Sequence, residues 1–239
     1  MRQNPATVVV LFVRLPVPGR VKTRLAAGLG VEGACCLYQA MVADILCMLG
    51  SCGLPIHLLY DEGDDRAVPQ AWRNAAARVQ LQRGGDIGER MATACADCFA
   101  AGSDQAILIG SDIPGLDSET IQAARAALVT HDAALAPAVD GGYGLIALKR
   151  SRFRPEVFGN IPWSTGDVLR ITMQRFADLG LSVGLLPELR DIDTLDDLRA
   201  YWQSPHPAAA HTNRTIIQLR GASGTGDHSS DGSFFREFP

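Results

Sequence analysis

Four basic side chains follow the most hydrophobic segment of the chain: Arg14, Arg20, Lys22 and Arg24. No Asp or Glu occurs before Glu32, although the formal net charge of the whole protein is −4. Two prolines stiffen this stretch, and Gly19 lets the backbone come close to a ligand. Clustered positive charge in an acidic protein favours an anion, and arginine and lysine side chains match phosphate well. The sequence therefore predicts a phosphate-binding loop.

The simpler interpretation is a solvated surface loop that happens to carry arginines. Two observations favour phosphate binding: the loop directly follows a predicted buried strand, and Lys22 is one of only two lysines among 22 basic residues. A Walker A loop is excluded, because Lys22 has no glycine directly before it and the other glycine of that motif is missing.

Two aspartates follow predicted buried strands at the point where each strand ends. Asp112 comes after the segment 106–110, and Asp140 comes after 133–139. The carboxyl ends of strands form the ligand crevice of open α/β sheets, and oxygen-only sites with open positions suit Mg²⁺ or Mn²⁺. Both aspartates are therefore candidate catalytic residues and metal ligands, with Asp140 alternatively a general base. Without a ligand, Asp112 would cap backbone amides before a Pro-Gly turn, and Asp140 would form a tight turn between strands.

Glycines and aromatic residues near the second aspartate predict a side of the site for the acceptor. Two glycines after it would let a substrate hydroxyl approach the backbone. A tryptophan precedes a helix predicted at 167–179, where it either anchors the core or lies beneath a sugar. Ser164 or Thr165 is expected to cap that helix. The candidates for the acceptor side are Gly141, Gly142, Tyr143, Trp163 and Ser164.

The segment 82–90 places glycines at a predicted strand-to-helix junction. Asp86 with Glu89 three residues later has the pattern of a capping box, which alone would explain it as a helix start. Glycines before a helix N-terminus would also let a nucleotide lie across the edge of the sheet. The two explanations are compatible, and they make Gly85, Asp86 and Arg90 candidate nucleotide-binding residues.

The elements that must position these residues alternate along the chain. Runs of strand character lie at 8–13, 55–60, 79–81, 106–110, 133–139, 145–148 and 182–186, and helical periodicity at 32–49, 67–77, 87–101, 119–130, 167–179 and 195–202. Alternating strands and helices require crossovers, so the sequence predicts an α/β fold with a mostly parallel sheet. The only literal D-x-D, at Asp191 and Asp193, has the pattern of a metal motif. It precedes the last predicted helix, however, where Asp193 is more simply explained as an N-cap.

Length and composition limit the number of domains that the chain can form. With 239 residues and 47% hydrophobic residues, the chain can bury one full core, expected within 1–203. The composition then changes to Pro, Ala, His, Gly and Ser, so 204–239 is expected to be a largely mobile tail with one strand-like stretch at 215–219.

The same composition limits where in the cell the protein is expected to lie and which partners it is expected to bind. No apolar run approaches the ~20 residues of a membrane span and no signal peptide is evident, so we expect a cytoplasmic protein. Mild acidity argues against nucleic acid as the main partner. The six cysteines, including a C-x-x-C at 95–98 within a predicted helix, are expected to be reduced thiols.

Several blocks of sequence carry a resemblance when taken together: PVPGRVKTRL, GGDIGERM, GSDIPGL, DGGYGLIAL, IPWST and DIDTLDDL. In this order they resemble an uncharacterised family of bacterial glycosyltransferase-like proteins with the nucleotide-diphospho-sugar transferase (GT-A) fold, over about 7–201. The stretch 22–25 also looks like the loop of phospholactate guanylyltransferase, which has the same fold.

The resemblance implies a Rossmann-like three-layer sandwich in which the first loop grips the nucleotide phosphates and an aspartate after the fourth strand holds a metal. By resemblance these roles fall on Arg20, Lys22 and Arg24, and on Asp112. Glycosyltransferases of this fold usually have a D-x-D at the metal position, whereas this chain has a single aspartate there.

Three functions are compatible with these residues. The first is a transferase that depends on Mg²⁺ or Mn²⁺ and moves a sugar from a nucleotide-diphospho-sugar to a small-molecule acceptor. The second is a nucleotidyltransferase that uses a nucleoside triphosphate and releases pyrophosphate. The third is a non-catalytic nucleotide-binding domain. The base, the sugar, the acceptor and the oligomeric state have no signature in the sequence.

Overall fold

The computed structural model of the chain describes residues 5–62 and 67–223, in which strands and helices alternate. The strands are β1 (Thr7–Val13), β2 (Ile56–Tyr60), β3 (Arg78–Leu81), β4 (Gln105–Ile109), β5 (Ala133–Pro137), β6 (Tyr143–Lys149) and β7 (Val183–Leu185). The helices are α1 (Thr23–Ser51), α2 (Gln70–Ala75), α3 (Ile87–Ala100), α4 (Ser118–Thr130), α5 (Val168–Asp178), α6 (Leu195–Gln203) and α7 (Ala210–Ser223). Two short 3₁₀ helices, Arg150–Arg152 and Pro155–Phe158, follow β6.

The strands form one sheet in the order β3-β2-β1-β4-β6-β5-β7. β6 is antiparallel to β4 and β5, and the other neighbouring pairs are parallel. The predicted α/β fold with a mostly parallel sheet is confirmed. β1 lies between β2 and β4, so the winding of the chain changes direction there. The loops that follow β1 and β4 leave the same edge of the sheet and open a crevice between them.

Helices cover both faces of the sheet, which confirms the three-layer arrangement. Residues of α1, α4, α6 and α7 belong to one apolar cluster, and residues of α3 and α5 to the other. Along β1, Val9 and Leu11 face the first cluster and Val8 and Val10 face the second. Because both faces are buried, β1 reads as a continuous apolar run in the sequence.

Helix α1 is longer than the predicted 32–49. It begins at Thr23, and its backbone leaves helical geometry at Gly30, where φ is 71°. Its length and composition alone would allow it to cross a membrane, but 67% of its most apolar 18-residue stretch is buried in the protein. Leu37 and Met41 are fully buried in the first cluster, as in the core helix of a globular domain. A cytoplasmic location stays a prediction.

The C-terminal region differs from its prediction. The stretch 215–219, expected as a strand, lies within α7, which packs on α1. The backbone N–H groups of His211 and Thr212 donate to the buried carboxylate of Asp44 at 2.9 and 2.8 Å. This contact with a distant helix satisfies donors that a helix start leaves unpaired. The predicted strand is therefore wrong. The division of the chain at residue 203 and the mobility of the tail stay predictions, and 224–239 lie outside the described residues.

Two predicted helix caps are also wrong. Asp167 occupies the N-cap position of α5, so neither Ser164 nor Thr165 caps that helix. Helix α6 is capped by Thr194 in a capping box, not by Asp193. Both errors concern residues that line the candidate site described below.

The predicted C-x-x-C lies in the middle of α3. Cys95 and Cys98 are buried free thiols, and burial raises the pKa of both. Thiols held in the neutral form are poor nucleophiles and poor metal ligands. They serve here as small core residues, as the position within a helix indicated.

Candidate functional site

The ammonium of Lys22 lies between two carboxylates from distant parts of the chain. Its Nζ donates to Asp112 Oδ2 at 2.9 Å and to Asp193 Oδ1 at 3.2 Å, and only 6% of the lysine side chain is exposed. Burial lowers the pKa of this ammonium, but the two negative charges and their hydrogen bonds outweigh burial, so the pKa is raised above its ordinary value. Lys22 is therefore a fixed positive charge at neutral pH.

The topology of the sheet explains why these residues meet. Lys22 follows β1 and Asp112 follows β4, and these two strands are parallel neighbours. The segment that carries Asp193 is attached to the same place, because the backbone N–H of Ile192 donates to Asp112 O at 3.0 Å. Lys22 has a left-handed backbone, with φ 48°. Such strain in a residue other than glycine persists where its surroundings fix it, often at functional sites.

A buried pair of hydroxyl groups braces the same two loops. The backbone N–H of Arg14 donates to Tyr38 Oη at 2.8 Å, and that oxygen lies 2.9 Å from Ser111 Oγ. Burial raises the pKa of Tyr38, so the phenol stays neutral and keeps both contacts. The starts of the two loops are thereby held together beneath the site.

A cavity of about 340 Å³ contains all four predicted basic residues on its wall. Gly19, with φ 78°, lies in the loop just before them. Arg24 donates to Asp193 at 3.0 Å. Among the described residues, the ion pairs of Arg14 and Arg20 are long, 3.9 and 3.7 Å, and are made with the loop after β2. Exposed pairs of this kind are weak and easily exchanged for a ligand. We call this space the basic cavity, because its charged lining is Arg14, Arg20, Lys22 and Arg24 against Asp112 and Asp193.

A second cavity of about 390 Å³ adjoins the first and shares Asp112 and Ser164 with it. Ser164 has a left-handed backbone, with φ 65°. We call this space the carboxylate cavity, because three aspartates line it together with residues predicted for the acceptor side: Asp112, Asp140, Asp191, Gly142, Tyr143, Trp163 and Ser164.

Asp191 is a candidate functional residue that the sequence prediction missed. Burial, followed by the negative charges of Asp112 and Asp140, raises its pKa to about 6. A carboxylate that titrates near neutrality suits a general base. The D-x-D pattern was the signal in the sequence that could have identified Asp191 and Asp193 as functional residues. Its position before a predicted helix favoured a helix N-cap instead.

The turn that carries Asp140 is fixed by close packing. The backbone N–H of Gly142 donates to Asp140 Oδ1 at 2.9 Å, and the N–H of Leu169, in the first turn of α5, donates to Gly141 O at 2.8 Å. Gly141 has φ 86°, and a Cβ there would lie 2.2 Å from the carbonyl oxygen of Gly166. Only glycine fits this position, so the turn fixes Asp140 on the wall of the carboxylate cavity.

Trp163 is both a packing residue and part of the cavity wall. Its ring meets the ring of Tyr143 edge to face, with centroids 6.5 Å apart. It also lies against Gly88 in α3, where a Cβ would come within 2.6 Å of the indole. Burial raises the pKa of Tyr143, whose hydroxyl therefore stays neutral.

Three predicted nucleotide-binding residues lie at the start of α3 and do not line either cavity: Gly85, Asp86 and Arg90. Asp86 accepts from the Glu89 N–H at 2.8 Å, and Glu89 accepts from the Gly85 N–H at 2.7 Å. Arg90 bonds back to the preceding loop. These contacts support the capping explanation, and a role in nucleotide binding stays a prediction.

The fit of a divalent metal can be judged from the donor atoms. Within residues 5–62 and 67–223, no group of three or more His, Cys, Asp or Glu side chains is arranged to hold a metal ion. Asp112, Asp140 and Asp191 nevertheless bring mutually repelling oxygen donors to one cavity, as the raised pKa of Asp191 indicates. Hard oxygen donors of this kind fit Mg²⁺ or Mn²⁺ completed by oxygens of a substrate.

Comparisons with known proteins place the chain in a family. The sequence model of a family described as "Uncharacterized protein conserved in bacteria (DUF2064)" matches residues 47–165. A crystal structure from Desulfovibrio desulfuricans G20, provisionally named a nucleotide-diphospho-sugar transferase, is 33% identical, with a TM-score of 0.79. The match covers 91% of this chain and 98% of that one. The chain belongs to the DUF2064 family.

More distant structures show that this DUF2064 protein has the fold of nucleotide-dependent transferases. Glucosyl-3-phosphoglycerate synthase from Mycobacterium tuberculosis, crystallised with Mn²⁺ and UDP, has a TM-score of 0.52 at 15% identity, over 93% of this chain and 81% of that one. A 4-diphosphocytidyl-2C-methyl-D-erythritol synthase from Anaerococcus prevotii has 0.57 at 10% identity, over 84% and 100%. No curated protein matches the chain in sequence. The fold of this chain is therefore shared with glycosyltransferases and with nucleotidyltransferases.

Proposed function

We propose that the protein is a metal-dependent transferase that moves a sugar from a nucleotide-diphospho-sugar to a small acceptor. The observation that carries this proposal is the position of Lys22, which lies on the wall of a basic cavity and contacts Asp112, a residue shared with an adjoining carboxylate cavity. A diphosphate needs positive charge, and the reacting end of a sugar donor needs carboxylates nearby. The arrangement supplies both within one crevice.

The basic cavity would hold the diphosphate of the donor. Lys22 and Arg24 are the fixed charges, since both already bind Asp193. Arg14 and Arg20 are exposed and weakly paired, so they are free to turn toward phosphate oxygens. Positive charge placed here stabilises the negative charge that develops on the leaving nucleoside diphosphate.

Asp112 and Asp140 would hold the Mg²⁺ or Mn²⁺ ion, which when bound neutralises charge on the leaving diphosphate. The metal-containing relative from M. tuberculosis supports this assignment by fold alone. In the ligand-free chain Lys22 neutralises Asp112 instead. Metal and diphosphate would therefore bind together, because the lysine must exchange its carboxylate for phosphate.

The remaining chemistry is the transfer of a proton from the acceptor. The acceptor oxygen bonds to the anomeric carbon of the sugar while the bond from that carbon to the diphosphate oxygen breaks. The electron pair of the broken bond leaves with the nucleoside diphosphate, and the proton of the acceptor hydroxyl passes to Asp191. Burial is the main cause of the raised pKa of Asp191, so this carboxylate accepts a proton more readily than an ordinary aspartate. The Asp140 turn and Trp163 would form the acceptor side.

Product analysis tests the proposal. The protein is incubated with Mn²⁺, a panel of sugar nucleotides and a panel of nucleoside triphosphates, and released products are identified. We expect a nucleoside diphosphate, and we expect Asp112→Asn to lower turnover by about 100-fold or more. Asp178→Asn, at the far end of α5, is the matched control. Pyrophosphate release would instead support a nucleotidyltransferase. Near-normal turnover of Asp112→Asn, or binding without turnover of any donor, would contradict the proposal.

A further inference from the structure

A cleft of about 840 Å³ borders the carboxylate cavity. Its walls come from the segment 188–194, from α6 and from residues 203–206, and Arg24, Gly115, Val139 and Asp140 complete the lining. Asp140 and Asp191 line both spaces, so a molecule in the cleft reaches the reacting end of the proposed donor. The functions predicted from the sequence assigned no role to this cleft.

The charge of the cleft is opposite to that of the basic cavity. Two arginines, Arg24 and Arg190, face five carboxylates on its wall: Asp140, Glu188, Asp191, Asp193 and Asp197. The basic cavity has four cations against two carboxylates. The crevice therefore changes sign from one end to the other, positive where a diphosphate would lie and negative beyond it. The negative wall of the cleft would therefore repel a negatively charged ligand, beginning at the entrance of the cleft.

Some of these carboxylates are committed to the protein itself, and others remain for a ligand. Asp193 binds Lys22 and Arg24, and Asp197 completes the capping box of α6. Glu188 is exposed on the wall. Carboxylate oxygens accept hydrogen bonds from hydroxyl and ammonium groups and offer nothing to a second anion.

We propose that this acidic cleft binds the acceptor, and that the acceptor is a polyhydroxylated or amino-bearing molecule without phosphate or carboxylate groups. The inference rests on the proposed sugar transfer and adds the class of the second substrate. It also separates the chain from transferases whose acceptors are phosphorylated. A phosphorylated acceptor would bring further negative charge into a cleft whose described lining carries five carboxylates and two arginines.

Matched pairs of acceptors test the inference. The donor is the sugar nucleotide that gives the largest rise in melting temperature with Mn²⁺, and the readout is release of nucleoside diphosphate after adding glycerol or glycerol 3-phosphate, and glucose or glucose 6-phosphate. We expect the neutral member of a pair to stimulate release about tenfold more than its phosphorylated partner. The double variant Glu188→Arg/Gln203→Arg should reduce that ratio about tenfold. Asp178→Arg, an exposed position at the far end of α5, should leave it unchanged.

The outcomes separate this inference from the proposed function. If no nucleotide raises the melting temperature, the proposed function fails, and the inference fails with it. If a sugar nucleotide binds but the phosphorylated member of a pair stimulates equally or better, or neither neutral compound stimulates, only the acceptor class is overturned. An unchanged ratio in Glu188→Arg/Gln203→Arg would also overturn it, because the acidic wall would then have no influence on acceptor choice.

Discussion

Lys22 Nζ lies 2.9 Å from Asp112 Oδ2, although 90 residues separate the two in sequence. The contact joins the loops after two neighbouring parallel strands, so the topology of the sheet brings the pair together. The pKa of Lys22 is raised, so its ammonium stays charged at neutral pH. The pair therefore stabilises the fold at neutral pH, and this contribution is lost only when the pH rises through the pKa of the lysine. A phosphate ligand must therefore compete with a carboxylate for a permanent cation.

Replacing this cation should weaken nucleotide binding. Lys22→Gln is expected to lower the affinity for a nucleoside diphosphate with Mn²⁺ by about 10–100-fold, because a charge-assisted hydrogen bond contributes about 1.5–3 kcal/mol. The other lysine of the chain, Lys149, provides the control. It pairs in register with Gln105 at the start of β4, at the opposite edge of the sheet from Asp112. Titration calorimetry should find Lys149→Gln unchanged, and equal affinities for both variants would refute the phosphate role of Lys22.

The raised pKa of Asp191 predicts a pH dependence of activity. A general base must be ionised, so turnover should rise with pH through the pKa of Asp191 and then level off. This limb should lie at or below pH about 6, because the metal on Asp112 and Asp140 would offset the two negative charges that help to raise the pKa. Asp191→Asn should remove most of the turnover and abolish this limb, while Asp178→Asn should keep it. A rate profile that keeps its acidic limb in Asp191→Asn would show that another group is titrating.

Stability should change in the opposite direction over the same range. The folded protein holds the Asp191 proton more tightly than the unfolded chain does. The free energy of unfolding should therefore fall as the pH rises from about 4, the ordinary value, through about 6. Urea denaturation of the metal-free protein at several pH values measures this. In Asp191→Asn, the free energy of unfolding should change less with pH over this range. If it falls as steeply as in the unchanged protein, the folded environment of Asp191 does not raise its pKa.

The meeting of Lys22 with Asp112 was predictable from sequence, because each follows a buried strand in an alternating α/β pattern. The contacts of Asp191 and Asp193 were not, since the local pattern before α6 resembles a cap and only the backbone link from Ile192 to Asp112 places the segment at the site. Helix α7 was missed for a similar reason. Its β-branched residues favour a strand locally, whereas packing on α1 decides the outcome.

The fixed turn beside Asp140 gives a steric prediction. Gly141→Ala adds a Cβ that would lie 2.2 Å from the Gly166 carbonyl oxygen, at a backbone φ of 86°. Gly180→Ala is the matched control, because Gly180 also has a positive φ, 64°, but no described atom beyond its two chain neighbours lies within 4 Å of the added Cβ. Both should lose about 1 kcal/mol of unfolding free energy from backbone strain, and only Gly141→Ala should lose more and also impair turnover. Equal stability and activity in the two variants would show that the turn can relax.

The contact between Asp44 and α7 predicts that one carboxylate in α1 holds the C-terminal helix in place. Asp44→Ala leaves the backbone N–H groups of His211 and Thr212 without their acceptor, which should lower the free energy of unfolding by about 1–3 kcal/mol. Glu32→Ala, an exposed acidic position on the same helix, should change it by less than about 0.5 kcal/mol. Urea denaturation compares the variants, and hydrogen exchange should show faster exchange at α7 in Asp44→Ala alone. Unchanged exchange there would mean that apolar packing against α1 holds the helix without the carboxylate.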